Sequence, residues 1–461
     1  MKLKVNHNWI HIIGISGVTT APLATTLQDK GFYITGSDRN LYDPIKSYLE
    51  KQGIKVNLNF SFQNLLLGNE MPGLIIVGSG ISLTNKEYLF AKKQNLNIKH
   101  FPELLQELII DKNSLVITGS YAKTTITSML VDIFKSSQVE ISYMFGGLPI
   151  NEEPSIKLKN NKTKLSIVEG DEYISSRWDQ KSKFFYYNPL YLVITGVQWD
   201  HADIFKNEKE YSDNFKKLVE RLPDDGIVFA NLDDINVKQI LKDNRTQVID
   251  ISYAKLASWA STNNITVNLI GELNLQNAVI SAKIAAELGL SMETIKRALK
   301  QYKGIKRRLE IRNEIISNDS HIVVIDDFAS SPAKVASSLK SIRDHFKEHF
   351  LVTVFEPNFG NRTKESLNQY EEVFSDTSIL LLPKFLQVKS TKYPISENDF
   401  KNLLKTSKIE VKVFKSIKEL GDIVKLLKKR NSKIAIAFLS SHGMEERIRY
   451  VNQMLHEQEK A

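Results

Sequence analysis

Ser114-Leu-Val-Ile-Thr118-Gly119-Ser-Tyr-Ala-Lys123-Thr124-Thr125 decides the reading of this chain. A short apolar run reads as a buried strand. It feeds a glycine loop, and the loop opens a helix. In that context the backbone N–H groups of the loop and of the first helical turn can cradle phosphate. Lys123 can reach the β- and γ-phosphates, and the Thr124 hydroxyl can ligate Mg²⁺. Gly119, Ser120, Tyr121, Ala122, Lys123, Thr124 and Thr125 are therefore candidate ATP-binding residues. The loop is shorter than the usual form, and Ala122 stands where a glycine commonly precedes the lysine. Taken alone, the stretch reads equally well as a loop-capped helix beginning Lys-Thr-Thr.

Two further segments resolve that ambiguity. Val168-Glu169-Gly-Asp171-Glu172-Tyr173 follows the strand-like Leu165–Val168, and Trp199-Asp200-His201-Ala202-Asp203 follows Tyr191–Thr195. Both fall at predicted carboxyl ends of strands, where ligands bind in open α/β sheets. Separately, Glu169 and Asp171 read as solvated loop acids and His201 as a satisfied buried histidine. Together, in this order after a Lys-Thr loop, they read as a nucleotide–metal site. Oxygen donors suit Mg²⁺; a histidine beside them also admits Mn²⁺.

Around this centre the chain divides into three α/β segments, 1–111, 112–302 and 303–461, in line with about one domain per 150 residues. In the first, Trp9–Gly14, a helix to Lys30 and Phe32–Gly36 form a strand–helix–strand unit of a doubly wound parallel sheet, with another strand at Leu74–Gly78. The second closes with two helices over Asn274–Tyr302. In the third, strands are legible at His321–Ile325, Phe350–Phe355, Ser378–Leu382, Glu410–Val413 and Ile434–Leu439. The net charge of +9 is spread over dispersed lysines and arginines, which reads as a lysine-rich, mixed-sign surface rather than a nucleic-acid footprint, and its modest positive field would also draw an anionic small substrate. Without cysteine there is no disulfide or thiolate chemistry. No apolar run approaches the roughly 18 residues of a spanning helix. The N-terminal apolar run stops at Gly14, which argues against export and for a cytoplasmic protein.

These motifs, with His11-Ile-Ile-Gly14-Ile-Ser-Gly17, Thr35-Gly-Ser37-Asp38, Gly271-Glu-Leu-Asn274-Leu-Gln-Asn277, Gly304-Ile-Lys-Arg-Arg308 and Asp326-Asp327-Phe-Ala-Ser-Ser-Pro332, resemble the Mur ligases over nearly the whole chain. These are ATP-dependent amide-forming enzymes of peptidoglycan synthesis. The resemblance implies a Rossmann-like domain for a UDP-sugar, a central P-loop ATPase domain and a Rossmann-like C-terminal domain for the amine substrate. It is strongest to the muropeptide ligase branch, which joins UDP-N-acetylmuramate to L-alanyl-γ-D-glutamyl-meso-diaminopimelate. The pointers are Glu169-Gly-Asp-Glu-Tyr173 with Lys181-Ser-Lys-Phe-Phe, Phe145-Gly-Gly147 and Asp200-His-Ala-Asp-Ile-Phe205. The UDP-N-acetylmuramate–L-alanine ligases come next.

The resemblance also implies roles. Lys123, Glu169, His201 and Arg308 would be catalytic, with Lys123 on the ATP phosphates and Arg308 on the γ-phosphate. Thr124 and Glu169 would hold one Mg²⁺ and His201 a second. Asn274 and Asn277 would face the adenine, and Asp326 or Asp327 the ribose. Gly14, Gly17, Ser37 and Asp38 would bind the UDP-sugar. Other branches carry a carbamylated lysine where this chain has Phe215. The chain departs from the family pattern at Tyr121, Ala122, Leu273, Ser330 and Ser331, and after Gly17. A nucleotide- or UDP-sugar-binding regulator on the same fold is therefore an alternative to an active ligase. Arg343, Asn358, Asn361 and Arg362 are candidates for the amine-substrate pocket. His442, in Ser-Ser-His-Gly443, reads as a loop residue.

Overall fold

The computed structural model describes residues 3–201, 204–317, 319–357, 367–385, 395–407, 409–441 and 444–457. Asn358, Asn361, Arg362 and His442 lie outside them. The chain forms two compact units, one of residues 1–268 and 275–304, the other of 269–274 and 305–461.

The first unit holds two sheets. One orders β3 (Val56–Asn57), β2 (Tyr33–Ser37), β1 (Lys4–Ile13), β4 (Glu70–Val77) and β5 (Ile98–His100), all parallel. The order reverses at β1, so the loop from Gly14 into the helix Thr20–Gln28 opens at a switch point. The other sheet is built from β6 (Ser114–Thr118), β7 (Ile141–Met144), β8 (Ile156–Lys157), β9 (Leu165–Glu169), β10 (Tyr191–Ile194), β11 (Ile227–Ala230) and β12 (Gln247–Asp250). Its order is β12-β11-β10-β6-β9-β7-β8, parallel except for β8. β6, β9 and β10 are neighbours at its centre, so their carboxyl ends share one edge. All five residues of β6 are buried, as a continuous apolar strand covered on both faces requires.

The second unit carries β13 (Glu310–Ile316), β14 (His321–Asp327), β15 (Phe350–Glu356), β16 (Ile379–Pro383), β17 (Glu410–Phe414) and β18 (Lys433–Ser440). They order β13-β14-β18-β15-β16-β17, with only β13 antiparallel. No helix among the described residues is long and apolar enough to cross a membrane.

The helix Lys123–Ser136 that follows the phosphate loop packs within the first unit, where its Ser128 hydroxyl shares a 2.5 Å hydrogen bond with Tyr302. Asp132 on this helix is pushed up to about 6, chiefly by burial, while Lys135 pulls it back. The folded-state value lies above the unfolded one. The cost is therefore absent below about pH 4 and complete above about pH 6. Asp132→Asn is expected to raise the unfolding free energy by about 1–3 kcal/mol at pH 8 and to change little near pH 4. Urea denaturation at the two pH values checks this; a gain of equal size at both would refute it.

Candidate active site

The loop after β6 is shaped by what its backbone cannot accommodate. Gly119 has φ +128°, and a Cβ there would lie 2.1 Å from Thr195 Oγ1 and 3.0 Å from the Gly196 backbone. Only glycine lets the loop pass this close to the start of the β10 loop. The two loops are stitched together: Ser120 N donates to Gly196 O at 2.9 Å, Thr195 Oγ1 to Tyr121 O at 2.6 Å, and Ser120 Oγ to Gln198 O at 2.7 Å. The Tyr121 ring lies directly over Gly196.

Ala122, the residue before the helix, has φ +62°. The alanine that replaces glycine is thus in the left-handed region, and it offers no side-chain cap. Ala122→Gly is expected to stabilise the protein by about 1 kcal/mol, because the methyl group is the source of the strain. Thermal unfolding of the variant checks this, and a lower midpoint would refute it. The first-turn N–H groups, Thr125 included, have no intrahelical partners.

The strand ends bring the expected side chains to this helix terminus. Thr124 Oγ1 donates to Glu169 Oε1 at 2.9 Å, and Glu169 Oε2 accepts from Gly146 N at 2.6 Å. Two hard oxygen donors side by side fit a Mg²⁺ ion that keeps its other positions for phosphate and water. A Cβ on Gly146 would sit 3.6 Å from Thr19 Cγ2, so the Gly14–Thr19 loop of the first sheet runs beside Glu169.

Lys123 bends back over its own loop. Its Nζ donates to Gly119 O at 2.5 Å and to Glu172 Oε2 at 2.8 Å. Burial works against the ammonium, but the adjacent carboxylate outweighs it and raises the lysine pKa, so Lys123 stays charged. His201 Nε2 lies 3.5 Å from Glu172 Oε1, and the same opposition, burial against the Glu172 carboxylate, raises its pKa. His201 itself has φ +56°, a strained conformation of the kind that collects at functional sites. Asp171, Glu172 and His201 place one ligand atom each within 4.8 Å of the others. Asp171 also accepts from Lys183 Nζ at 2.6 Å. Burial opposes the charge on Asp171, but Lys183 outweighs it and holds the carboxyl well below its usual range.

Glu172 links the two halves of the site. Sequence reading noticed it only as one acid among several, because neither spacing nor composition tells which carboxylate of Glu169-Gly-Asp-Glu turns inward. Tyr211, which donates to Glu172 Oε1 at 3.1 Å, carried no signal beyond its apolar spacing in the helix Glu208–Val219.

Other expected residues have internal duties. The Ser37 hydroxyl is buried and donates to Glu87 Oε2 at 2.5 Å. Asp38 accepts from Ser16 N at 3.0 Å and from Arg39 N at 2.7 Å, tying the switch-point loop across the sheet edge beside Gly14 and Gly17. Phe215 is buried against Phe184 and Tyr211, as a hydrophobic core position rather than a site for a modified lysine.

In the second unit, Asp327 accepts from Leu309 N, Ala329 N and Ser338 Oγ at 2.7–2.9 Å. Asp326 is buried between Arg307 and Arg312, and burial pushes it up to about 6. Both carboxylates thus have partners within this unit. The Arg308 guanidinium lies 5.3 Å over the Phe328 ring. Asn274 is buried and donates to Ile270 O at 2.8 Å. Asn277 is half-buried, with its carbonyl accepting from Ser281 Oγ at 2.8 Å. Arg343 donates to the carbonyls of Asp376 and His349. A cavity of 1220 Å³ is lined by Arg177, Lys181, Ile204, Phe205 and Lys217 among others, and includes no phosphate-loop residue.

Residues 117–285 match the Mur ligase middle domain, and residues 9–113 match the Mur ligase family catalytic domain. A UDP-N-acetylmuramate–L-alanyl-γ-D-glutamyl-meso-2,6-diaminoheptandioate ligase of Haemophilus influenzae is 30% identical over 353 residues, which is 73% of this chain and 76% of that one. The chain belongs to the Mur ligase family. Members of the Mur ligase family are ATP-dependent ligases that form C–N amide bonds, and this enzyme class holds for the chain. A UDP-N-acetylmuramate–L-alanine ligase of Dictyoglomus turgidum is 28% identical over 400 residues, 82% of each chain. A murein peptide ligase of Psychrobacter arcticus shares the Mur ligase fold, with a TM-score of 0.68 at 22% identity over 97% of this chain and 98% of that one.

Proposed function

We propose that this Mur ligase joins UDP-N-acetylmuramate to L-alanyl-γ-D-glutamyl-meso-diaminopimelate in the cytoplasm, at the expense of ATP. The observation that carries the reading is the meeting of Lys123, Thr124, Glu169 and His201 at one sheet edge, where Glu172 joins Lys123 to His201 and Thr124 is bonded to Glu169. The identity with the Haemophilus relative supports the choice of substrates.

In this reading the muramoyl carboxylate attacks the γ-phosphorus of ATP, ADP leaves, and an acyl phosphate forms. The amine then attacks the acyl carbon, and phosphate leaves through a tetrahedral intermediate. The protein supplies positioning and charge neutralisation rather than a covalent bond. Lys123 neutralises phosphate oxygens. The first-turn N–H groups of its helix orient them. Thr124 and Glu169 would hold Mg²⁺, and His201 a second ion. Bound Mg²⁺ supplies further neutralisation of the phosphates. The partners are small molecules, not nucleic acid.

The test is a panel of amine donors with UDP-N-acetylmuramate and ATP, scored by the mass of the UDP-linked product. Product with the tripeptide is expected. Product with L-alanine alone supports the second reading, which the 28% identity with the Dictyoglomus enzyme favours. No phosphate release with any donor refutes both ligase readings.

A further inference from the structure

We propose that Glu172 is a positioning residue. In the nucleotide-free enzyme it holds Lys123 in the place of a phosphate oxygen, and it gives the lysine up when nucleotide binds. The inference rests on the reading of Gly119–Thr125 as a phosphate loop.

Glu172 is 1% exposed, and although burial and the nearby Asp171 oppose its charge, Lys123 and His201 outweigh them and keep it ionised. Lys123 Nζ reaches both of its oxygens, at 2.8 and 3.1 Å. Tyr211 OH donates to Oε1 at 3.1 Å, and His201 Nε2 lies 3.5 Å from the same oxygen. The phenol oxygen lies 2.9 Å from Ser120 Oγ, which accepts from Gln198 N at 2.8 Å and has a single proton to give to either the phenol or Gln198 O. The carboxylate is thus locked to the phosphate loop from behind and to the lysine in front.

A lysine ammonium has three donors. Here they serve Gly119 O and the two oxygens of Glu172. Gly119 O belongs to the loop backbone, so an arriving phosphate oxygen can bind Lys123 only by displacing the carboxylate. A polyphosphate approaching this edge also meets the charges of Glu169 and Glu172, whereas Asp171 is offset by Lys183. Holding Lys123 on Glu172 keeps a desolvated ammonium paired until a better anion comes. Once Lys123 has left, the contact with His201 remains, so Glu172 still places the imidazole for the chemical step.

The two duties predict opposite signs. Glu172→Gln keeps the shape and an acceptor for Tyr211 but removes the competing charge. Its affinity for Mg-ADP and for a non-hydrolysable Mg-ATP analogue, measured by calorimetry without turnover, is expected to rise about tenfold. Its kcat is expected to fall by about tenfold or more, as His201 loses its charged partner. Loss of a merely structural contact would weaken binding and turnover together. Glu172→Asp, too short to reach Lys123 and Tyr211 at once, is expected to tighten binding by a smaller factor and serves if the glutamine variant does not fold. Unchanged or weaker nucleotide binding in a folded variant overturns the proposal while leaving the ligase reading intact. Failure of the unaltered enzyme to bind either nucleotide overturns both.

Discussion

Lys123→Ala is expected to lower kcat by roughly 10³-fold or more, since it removes the charge set to meet the transferring phosphoryl group. The ammonium sits at the start of a helix whose N–H groups face the same ligand, so no other cation in the loop can replace it. The substitution has a second consequence: it strips Glu172 of its closest counter-charge at 1% exposure, which costs about 3 kcal/mol of stability. The measurement is therefore paired, with steady-state phosphate release beside the unfolding midpoint. Lys123→Arg separates the two effects. It keeps the charge near Glu172, but its planar fork does not reproduce a point charge on the phosphates. Low turnover in a well-folded arginine variant supports the phosphate role. Full cellular function with Lys123→Ala would instead favour the non-catalytic, nucleotide-binding alternative.

Glu169→Gln is expected to raise the Mg²⁺ concentration for half-maximal activity by at least about tenfold, and to lower kcat at saturation. Glutamine keeps an acceptor for Gly146 N, so the β9 end stays in place while the formal charge beside Thr124 is lost. Thr124→Val, which removes the partner oxygen, is expected to act in the same direction. A titration of activity against free Mg²⁺ decides the matter. An unchanged Mg²⁺ requirement in both variants would remove these residues from the metal site and leave Asp171, Glu172 and His201 as the remaining candidates.

Much of this centre was legible before folding was considered. The expected strand at 114–118 coincides with β6, and those at 165–168 and 191–195 fall within one residue of β9 and β10, because continuous burial leaves a local apolar run with sharp ends. β7, β8 and β12 were not read. They are two to four residues long, too short for periodicity to register. β13 was missed for a different reason. As an antiparallel edge strand with a register shift after Ile311 it is only partly buried, and its charges look like loop. The site divides the same way. Lys123, Thr124 and Glu169 lie at the joints of a strand and a helix, and local pattern places such joints well. Glu172 and Tyr211 are 39 residues apart, and only packing brings them together.

From its residues alone, this protein was bound to present a lysine and a threonine at the mouth of a helix, with acids and a histidine at neighbouring strand ends. Periodicity and turn chemistry act over a few residues, and that suffices to set such an order. Tertiary structure alone decided that the lysine pairs with Glu172 rather than with Asp171. It also decided that Ala122 is held at positive φ, and that Ser37 and Asp327 turn inward. Side-chain direction beyond a strand end depends on what distant segments press against it, here Tyr211 and Ser120 behind one carboxylate, and no local rule contains that information.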